Sequence, residues 1–375
     1  MTGVRESVAA RRIVVCVGSG GVGKTTVAAA IALERAVAGA RALVCTIDPA
    51  RRLANALGLT SLGNVETPVP AHKFAEAGLA PRGQLFAMML DVKRTWDDLV
   101  TRHAPDPARR ERILRNRLYQ QMSSALAGSQ EYMAMEKLYE LATDRDYDLI
   151  VLDTPPTAHA LDFLDAPERI LDFLGNDTAR ALLAPAIGAG RLGLRLAQLG
   201  GGYIAKTLGR FTGQATLADL GEFLQGFQGM YDGFKERAAA VRALLARRDV
   251  GFVLVSSPSP VSIDEALAFH ERLHAESMPV AGLVVNRVTP DLWNAAGPLP
   301  TAEELDGPLA AAGVLDGRFA RRLALTLAEH QALAVAERQA LERLLTRVSV
   351  PRAVVPRLET DVHDLAGLAS LADRL

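Results

Sequence analysis

The sequence predicts an α/β fold: a doubly wound, mostly parallel sheet with an α-helical subdomain inserted. Three observations predict it. Short β-branched runs are almost continuously apolar, as strands covered on both faces must be. Those runs alternate with long Ala- and Leu-rich segments, the order expected of βα units. From Pro167 to Ala246 the alternation stops, and only helix and loop patterns remain.

The strand-like runs, in order, are Ile13–Val17, Ala42–Ile47, Leu85–Leu90, Leu149–Leu152, Phe252–Val255, Gly282–Val285 and Ala353–Val355. An Ala-rich helix, Val27–Ala38, follows the first. A long helical stretch, Pro107–Thr143, separates the third and fourth; its proline suits a first helical turn, where no N–H is needed. The Pro/Gly-rich segment Pro290–Asp316 reads as a surface loop. No repeat of fixed period occurs. The expected division is a nucleotide-binding domain of residues 1–106, 144–166 and 247–375, and a helical subdomain of residues 107–143 and 167–246.

Composition narrows the function classes. The 375 residues are 49% hydrophobic and 23% charged, enough to bury a core. With 42 Lys+Arg against 43 Asp+Glu and 5% aromatics, neither duplex nor single-stranded nucleic acid is an expected partner. The two cysteines, Cys16 and Cys45, lie inside strand-like runs and read as buried small hydrophobes. There is no CxxC to hold zinc or an iron–sulfur cluster. The N-terminus lacks a signal-peptide pattern and no 18-residue apolar run occurs, so a cytoplasmic protein is expected.

The strongest motif is Gly18-Ser19-Gly20-Gly21-Val22-Gly23-Lys24-Thr25-Thr26, which fits G-x-x-x-x-G-K-[ST] between a strand and a helix. Its glycines let backbone N–H groups turn inward around phosphate oxygens, and the helix N-terminus adds its positive end. Lys24 suits contact with the β- and γ-phosphates of ATP, and the Thr25 hydroxyl suits Mg²⁺. Two acids stand where parallel strands end, the edge at which such sheets bind ligands. Asp153 suits a Mg²⁺ role through water. Asp48 suits the carboxylate that orients an attacking water.

These segments, with Asp48-Pro49-Ala50, Asp153-Thr154-Pro155-Pro156-Thr157-Ala158-His159 and Val284-Val285-Asn286, resemble the arsenite-pump and tail-anchored-protein-targeting ATPase family. The likeness is greatest to its actinobacterial-type members with a single P-loop, the anion-transporting ATPases. The resemblance implies a P-loop NTPase fold of the deviant Walker A class, Mg²⁺-dependent hydrolysis of ATP, and a dimer that closes on ATP. It implies that Asp48 is the hydrolytic residue of switch I, with Pro49 and Arg51 beside it. It implies that Asp153, Thr154, Pro155, Pro156 and His159 belong to switch II, and that Asn286 reads the adenine.

Two departures from the family matter. Ser19 stands where the deviant P-loop carries a second lysine that reaches the partner's phosphates. Arg51 or Arg52 can replace it, a paralogous partner can supply it in a heterodimer rather than a homodimer, or hydrolysis proceeds slowly without it; the paralogue is favoured. The metalloid-binding and zinc-bridging cysteines of relatives are missing as well, so a metal-coupled pump and a zinc-held dimer are not expected.

The helical insertion leaves its output open. Residues 178–218 hold five bases and no acid, and of the eight methionines only Met230 lies in the insertion. The stretch fits a basic solvated face, a groove for a hydrophobic protein client, or a membrane surface. A membrane-surface or partitioning switch is the alternative class, although the C-terminal segment carries too few bases for lipid attachment. His270-Glu271-Arg272-Leu273-His274 fits H-E-x-x-H but lacks a third ligand and reads as a solvated helix face. Trp96 and Trp293 read as packing or loop residues.

Overall fold

The computed structural model describes residues 3–48, 51–104, 106–117, 119–120, 123, 129–154, 231–293, 297–314 and 317–375. Eight strands form one sheet in the order β3-β4-β2-β5-β1-β6-β7-β8. They are β1 Ile13–Val17, β2 Arg41–Thr46, β3 Thr67–Pro68, β4 Gln84–Met89, β5 Leu149–Asp153, β6 Val250–Ser256, β7 Val280–Val288 and β8 Arg352–Pro356. All seven expected strands form within two or three residues of their expected ends. The two-residue β3 was not expected; it pairs antiparallel with β4 at the sheet edge, while every other pairing is parallel.

Alternation along β1 shows why the runs are continuously apolar. Ile13, Val15 and Val17 enter one core, whereas Val14 and Cys16 enter the other. The second core is built on the helix Lys24–Ala38, whose alanines at 28, 29, 30, 32 and 36 are buried and let the helix approach the sheet closely. Gly39 ends it in the left-handed conformation, its N–H returning to the carbonyls of Ala36 and Arg35. The C-terminal helix Leu365–Ala372, capped by Asp364, adds Leu365, Leu368 and Leu371 to the same core. That segment's apolar face is therefore used inside the fold.

The first core holds the helices Val92–His103, Ser129–Asp144, Tyr231–Leu245 and Pro260–Ala275, with the end of the long helix Gly317–Arg347. Pro107 opens the helix Pro107–Arg115 in its first turn, with Asp106 as cap, as the sequence led us to expect. Met133, Met135 and Trp96 are buried here, Trp96 tilted against Tyr132 at 6.1 Å. Between helices, Arg237 Nε donates to the buried Glu136 Oε1 at 2.6 Å. The surface loop expected over Pro290–Asp316 is corrected: Ala302–Ala311 is a helix. A reciprocal capping box of Thr301 and Glu304 starts it, outweighing Gly307 and Pro308 in its interior. The turn before it is tied down by Thr289, whose N–H and hydroxyl donate to Glu337 at 2.7 and 3.0 Å.

Cys16 and Cys45 are buried free thiols, and burial pushes both upward, Cys45 to about 12. Among the described residues no helix is long and apolar enough to cross a membrane.

Candidate nucleotide site

Parallel strands put the ends of β1, β2, β5 and β7 on one edge, and the chemistry collects there. The loop after β1 is shaped by glycine. Gly21 and Gly23 lie in the left-handed region at φ 76° and 100°. Gly18 has φ 151°, and a Cβ there would stand 1.9 Å from the Val255 carbonyl oxygen on β6. Gly18→Ala is therefore expected to cost on the order of 3 kcal/mol in chemical denaturation, since the obstacle is backbone that cannot swing aside. A loss under about 0.5 kcal/mol would show that the loop is not seated against β6 as described.

The Lys24 side chain is buried, its Nζ donating to the carbonyls of Gly18 at 2.9 Å and Ser19 at 2.8 Å. Burial holds its pKa below the ordinary lysine value, opposed by the nearby Asp153. Gly23 caps the following helix without a side-chain acceptor, so the helix's first N–H groups are open to an anion. Gly20 and Gly21 are exposed at the loop tip and Val22 is buried. Thr26 follows on the helix, half-buried.

Register explains the acids. Asp153 lies level with Cys16 on β1 and Thr46 on β2. Its Oδ2 accepts from Thr25 Oγ1 at 2.6 Å and Thr46 Oγ1 at 2.7 Å. Its Oδ1 is buried with no hydrogen-bond partner among the described residues. Burial pushes the Asp153 carboxyl up to about 6, against the pull of the two hydroxyls and Lys24. Thr46 also accepts the backbone N–H of Asp48 at 3.2 Å, so one hydroxyl links both acids. The Asp48 charge acts on both Lys24 and Asp153. Thr154 is anchored to β1, its hydroxyl donating to the Cys16 carbonyl at 2.8 Å.

The donor set fits Mg²⁺. A hydroxyl and a carboxylate are hard oxygen ligands, and the orphaned Asp153 Oδ1 is an acceptor that a cation-bound water would satisfy. The Ser19 hydroxyl is likewise buried without a partner among the described residues, beside the loop concavity.

Asn286 ends up against the loop: its Nδ2 donates to the Val22 carbonyl at 2.9 Å, and its Oδ1 accepts the Arg287 N–H at 2.9 Å. Arg51 and Arg52 are exposed at the start of the short helix Arg52–Ala56. Pro49, Pro155, Pro156 and His159 lie outside the described residues, as does the basic stretch 178–218. His270 and His274 sit on the helix Pro260–Ala275, His274 and Glu271 exposed; no group of three or more metal-ligating side chains occurs among the described residues.

Two contributors escaped the sequence reading. Thr46 looked like one more strand residue, although its place two before Asp48 puts both at one strand end. Arg287, next to Asn286, donates through Nη1 to the Gly21 carbonyl at 2.8 Å.

The sequence profile of the family described as "Anion-transporting ATPase" matches residues 11–185, which include the loop, Asp48 and Asp153. An uncharacterized protein of Streptomyces coelicolor is 30% identical over 304 residues, covering 80% of this chain and 66% of its own. The ATPase GET3C of Arabidopsis thaliana is 26% identical over 299 residues, 76% of this chain and 68% of its own. The ATPase ARSA2 of Chlamydomonas reinhardtii is 27% identical over 275 residues, 72% and 66% respectively. The match thus spans about two thirds of the length of these relatives.

Proposed function

The chain belongs to the anion-transporting ATPase family, and from that membership and the geometry of its site we propose that it hydrolyses ATP with Mg²⁺ and uses the cycle to act on a partner. The observation that carries the reading is the Thr25–Asp153 hydrogen bond at 2.6 Å, with an orphaned carboxylate oxygen beside the Lys24 loop.

The phosphates of ATP would lie in the concavity of residues 18–25. Loop N–H groups and the open helix N-terminus take their oxygens. Lys24, which rests on two loop carbonyls, turns its ammonium to the β- and γ-phosphates and regains the charge stabilisation that burial removes. Thr25 Oγ1 and, through water, Asp153 would hold Mg²⁺, which when bound neutralises charge on the phosphate oxygens. Asp48 orients the attacking water in line with the γ-phosphate. Thr46 keeps the two acids apart in role: it donates to Asp153 and accepts from the Asp48 backbone. Asn286 would read the adenine edge from the loop's far side.

The helical subdomain of residues 107–143 and 167–246 is the proposed output, changing its contact with a protein client or a membrane surface as a homodimer or paralogous heterodimer opens and closes. Ser19 makes the heterodimer the more economical arrangement, because the cross-dimer cation must come from elsewhere. The test is ATP binding by the purified chain with and without Mg²⁺, followed by steady-state hydrolysis. Mg²⁺-dependent turnover supports a self-sufficient enzyme. Binding without turnover supports the heterodimer. A chain that binds no ATP in either condition sinks the reading.

A further inference from the structure

We propose that Arg287, acting with Asn286, is a clamp that holds the phosphate-binding loop in its anion-binding shape. The inference rests on the nucleotide-site reading above and adds a positioning residue to it.

The end of β7 is irregular. Its pairing with β8 shifts register between Val285 and Val288, and the two residues inside the shift are Asn286 and Arg287. Arg287 has φ 62°, one of two described non-glycine residues in the left-handed region. A residue with a Cβ is disfavoured there, so the turn persists only because its surroundings hold it. Arg287 itself is exposed, so no packing of its side chain demands the turn. The turn does two things. It brings the Arg287 N–H onto Asn286 Oδ1, which leaves Nδ2 facing the loop. It also carries the guanidinium to the Gly21 carbonyl.

The two side chains therefore grip consecutive carbonyls, Gly21 and Val22, at 2.8 and 2.9 Å. A trans peptide is planar, with its C=O and N–H on opposite sides. Pinning the Gly21 carbonyl toward Arg287 turns the Val22 N–H the other way. Pinning the Val22 carbonyl toward Asn286 does the same for the Gly23 N–H. Two adjacent donors are thus presented on the side away from the clamp, as an anion-binding nest requires. The close fit is visible at Gly23, where a Cβ would lie 2.3 Å from Asn286 Nδ2.

The deciding experiment separates the side chain from the backbone turn. Arg287→Gly removes the grip but adopts φ 62° freely; Arg287→Lys restores a single donor. The full-length chain and both variants are titrated with ATP, ADP and GTP, melted without nucleotide, and followed by amide hydrogen exchange over residues 18–24. Arg287→Gly is expected to melt no lower than wild type, exchange faster at 18–24, and bind ATP and ADP each about 3- to 10-fold more weakly. Its ATP-to-GTP ratio should stay unchanged, and Arg287→Lys should recover part of the loss. Unaltered exchange and affinity in Arg287→Gly overturn the clamp. So does an altered ATP-to-GTP ratio, which would make Arg287 a reader of the base, or binding that falls only in step with melting. If wild type binds no nucleotide while exchange still quickens in Arg287→Gly, the clamp stands and the nucleotide reading falls.

Discussion

Asp48→Asn is expected to lower Mg-ATP turnover by about 10²- to 10⁴-fold while leaving ATP affinity within a few-fold of wild type. The reasoning begins with shape. Asn keeps the size of Asp and its backbone N–H, so the bond from that N–H to Thr46 Oγ1 survives. What it loses is the negative charge that, in the proposed mechanism, orients and polarises a water. In that mechanism ground-state binding rests on the loop, Lys24 and Thr25, none of which changes. The split between turnover and affinity is the diagnostic result. Equal losses in both would mean that Asp48 holds the nucleotide instead of the water. Undiminished turnover would remove it from the mechanism.

The second large effect concerns Asp153. The group is almost wholly buried, and burial raises its carboxyl from 3.8 to about 6. A carboxyl whose folded value exceeds its unfolded value binds protons more readily when folded. Stability of the metal-free chain therefore falls as pH rises from about 4 to about 6 and stays at the lower level above that window. The charged Asp153 costs on the order of 3 kcal/mol at neutral pH. Asp153→Asn removes that charge with the same shape. At pH 7.5, without Mg²⁺, it is expected to melt several degrees above wild type, and the gap should close as the pH approaches 4. Mg²⁺-dependent binding of ATP should be lost in the same variant. A stabilised but inactive protein would mark Asp153 as a site that trades stability for a cation. Equal melting temperatures at pH 7.5 would show that Thr25, Thr46 and Lys24 compensate the buried charge fully.

Much of this was legible in the linear order of residues. The central strands β1, β5 and β6 announced themselves because each is covered on both faces, which forces a continuous apolar run, whereas the edge strand β8 leaves Val354 exposed. The loop from Gly18 to Thr25 was legible because the phosphate-wrapping role proposed for it needs glycines, lysine and threonine that are contiguous in the chain. Asp48 and Asp153 were legible as acids at strand ends. The edge strand Thr67–Pro68 was not, since two residues carry no period and their pairing depends on β4. The helix Ala302–Ala311 was misread as loop because Gly307 and Pro308 outweighed the Thr301 and Glu304 cap. Compositional signals average over a segment, whereas a cap acts at one end.

The residues that carry function divide in the same way. Local order alone decided which fold class forms, where the phosphate loop lies, and that Cys16 and Cys45 are core residues, because each follows from neighbours in the chain. Only three-dimensional assembly decided that Thr46 bonds both acids and that Arg287 grips Gly21, 266 positions away. Such contacts depend on strand register and on one left-handed residue at a bulge. Neither is written in any window of sequence, because both arise when distant strands settle side by side.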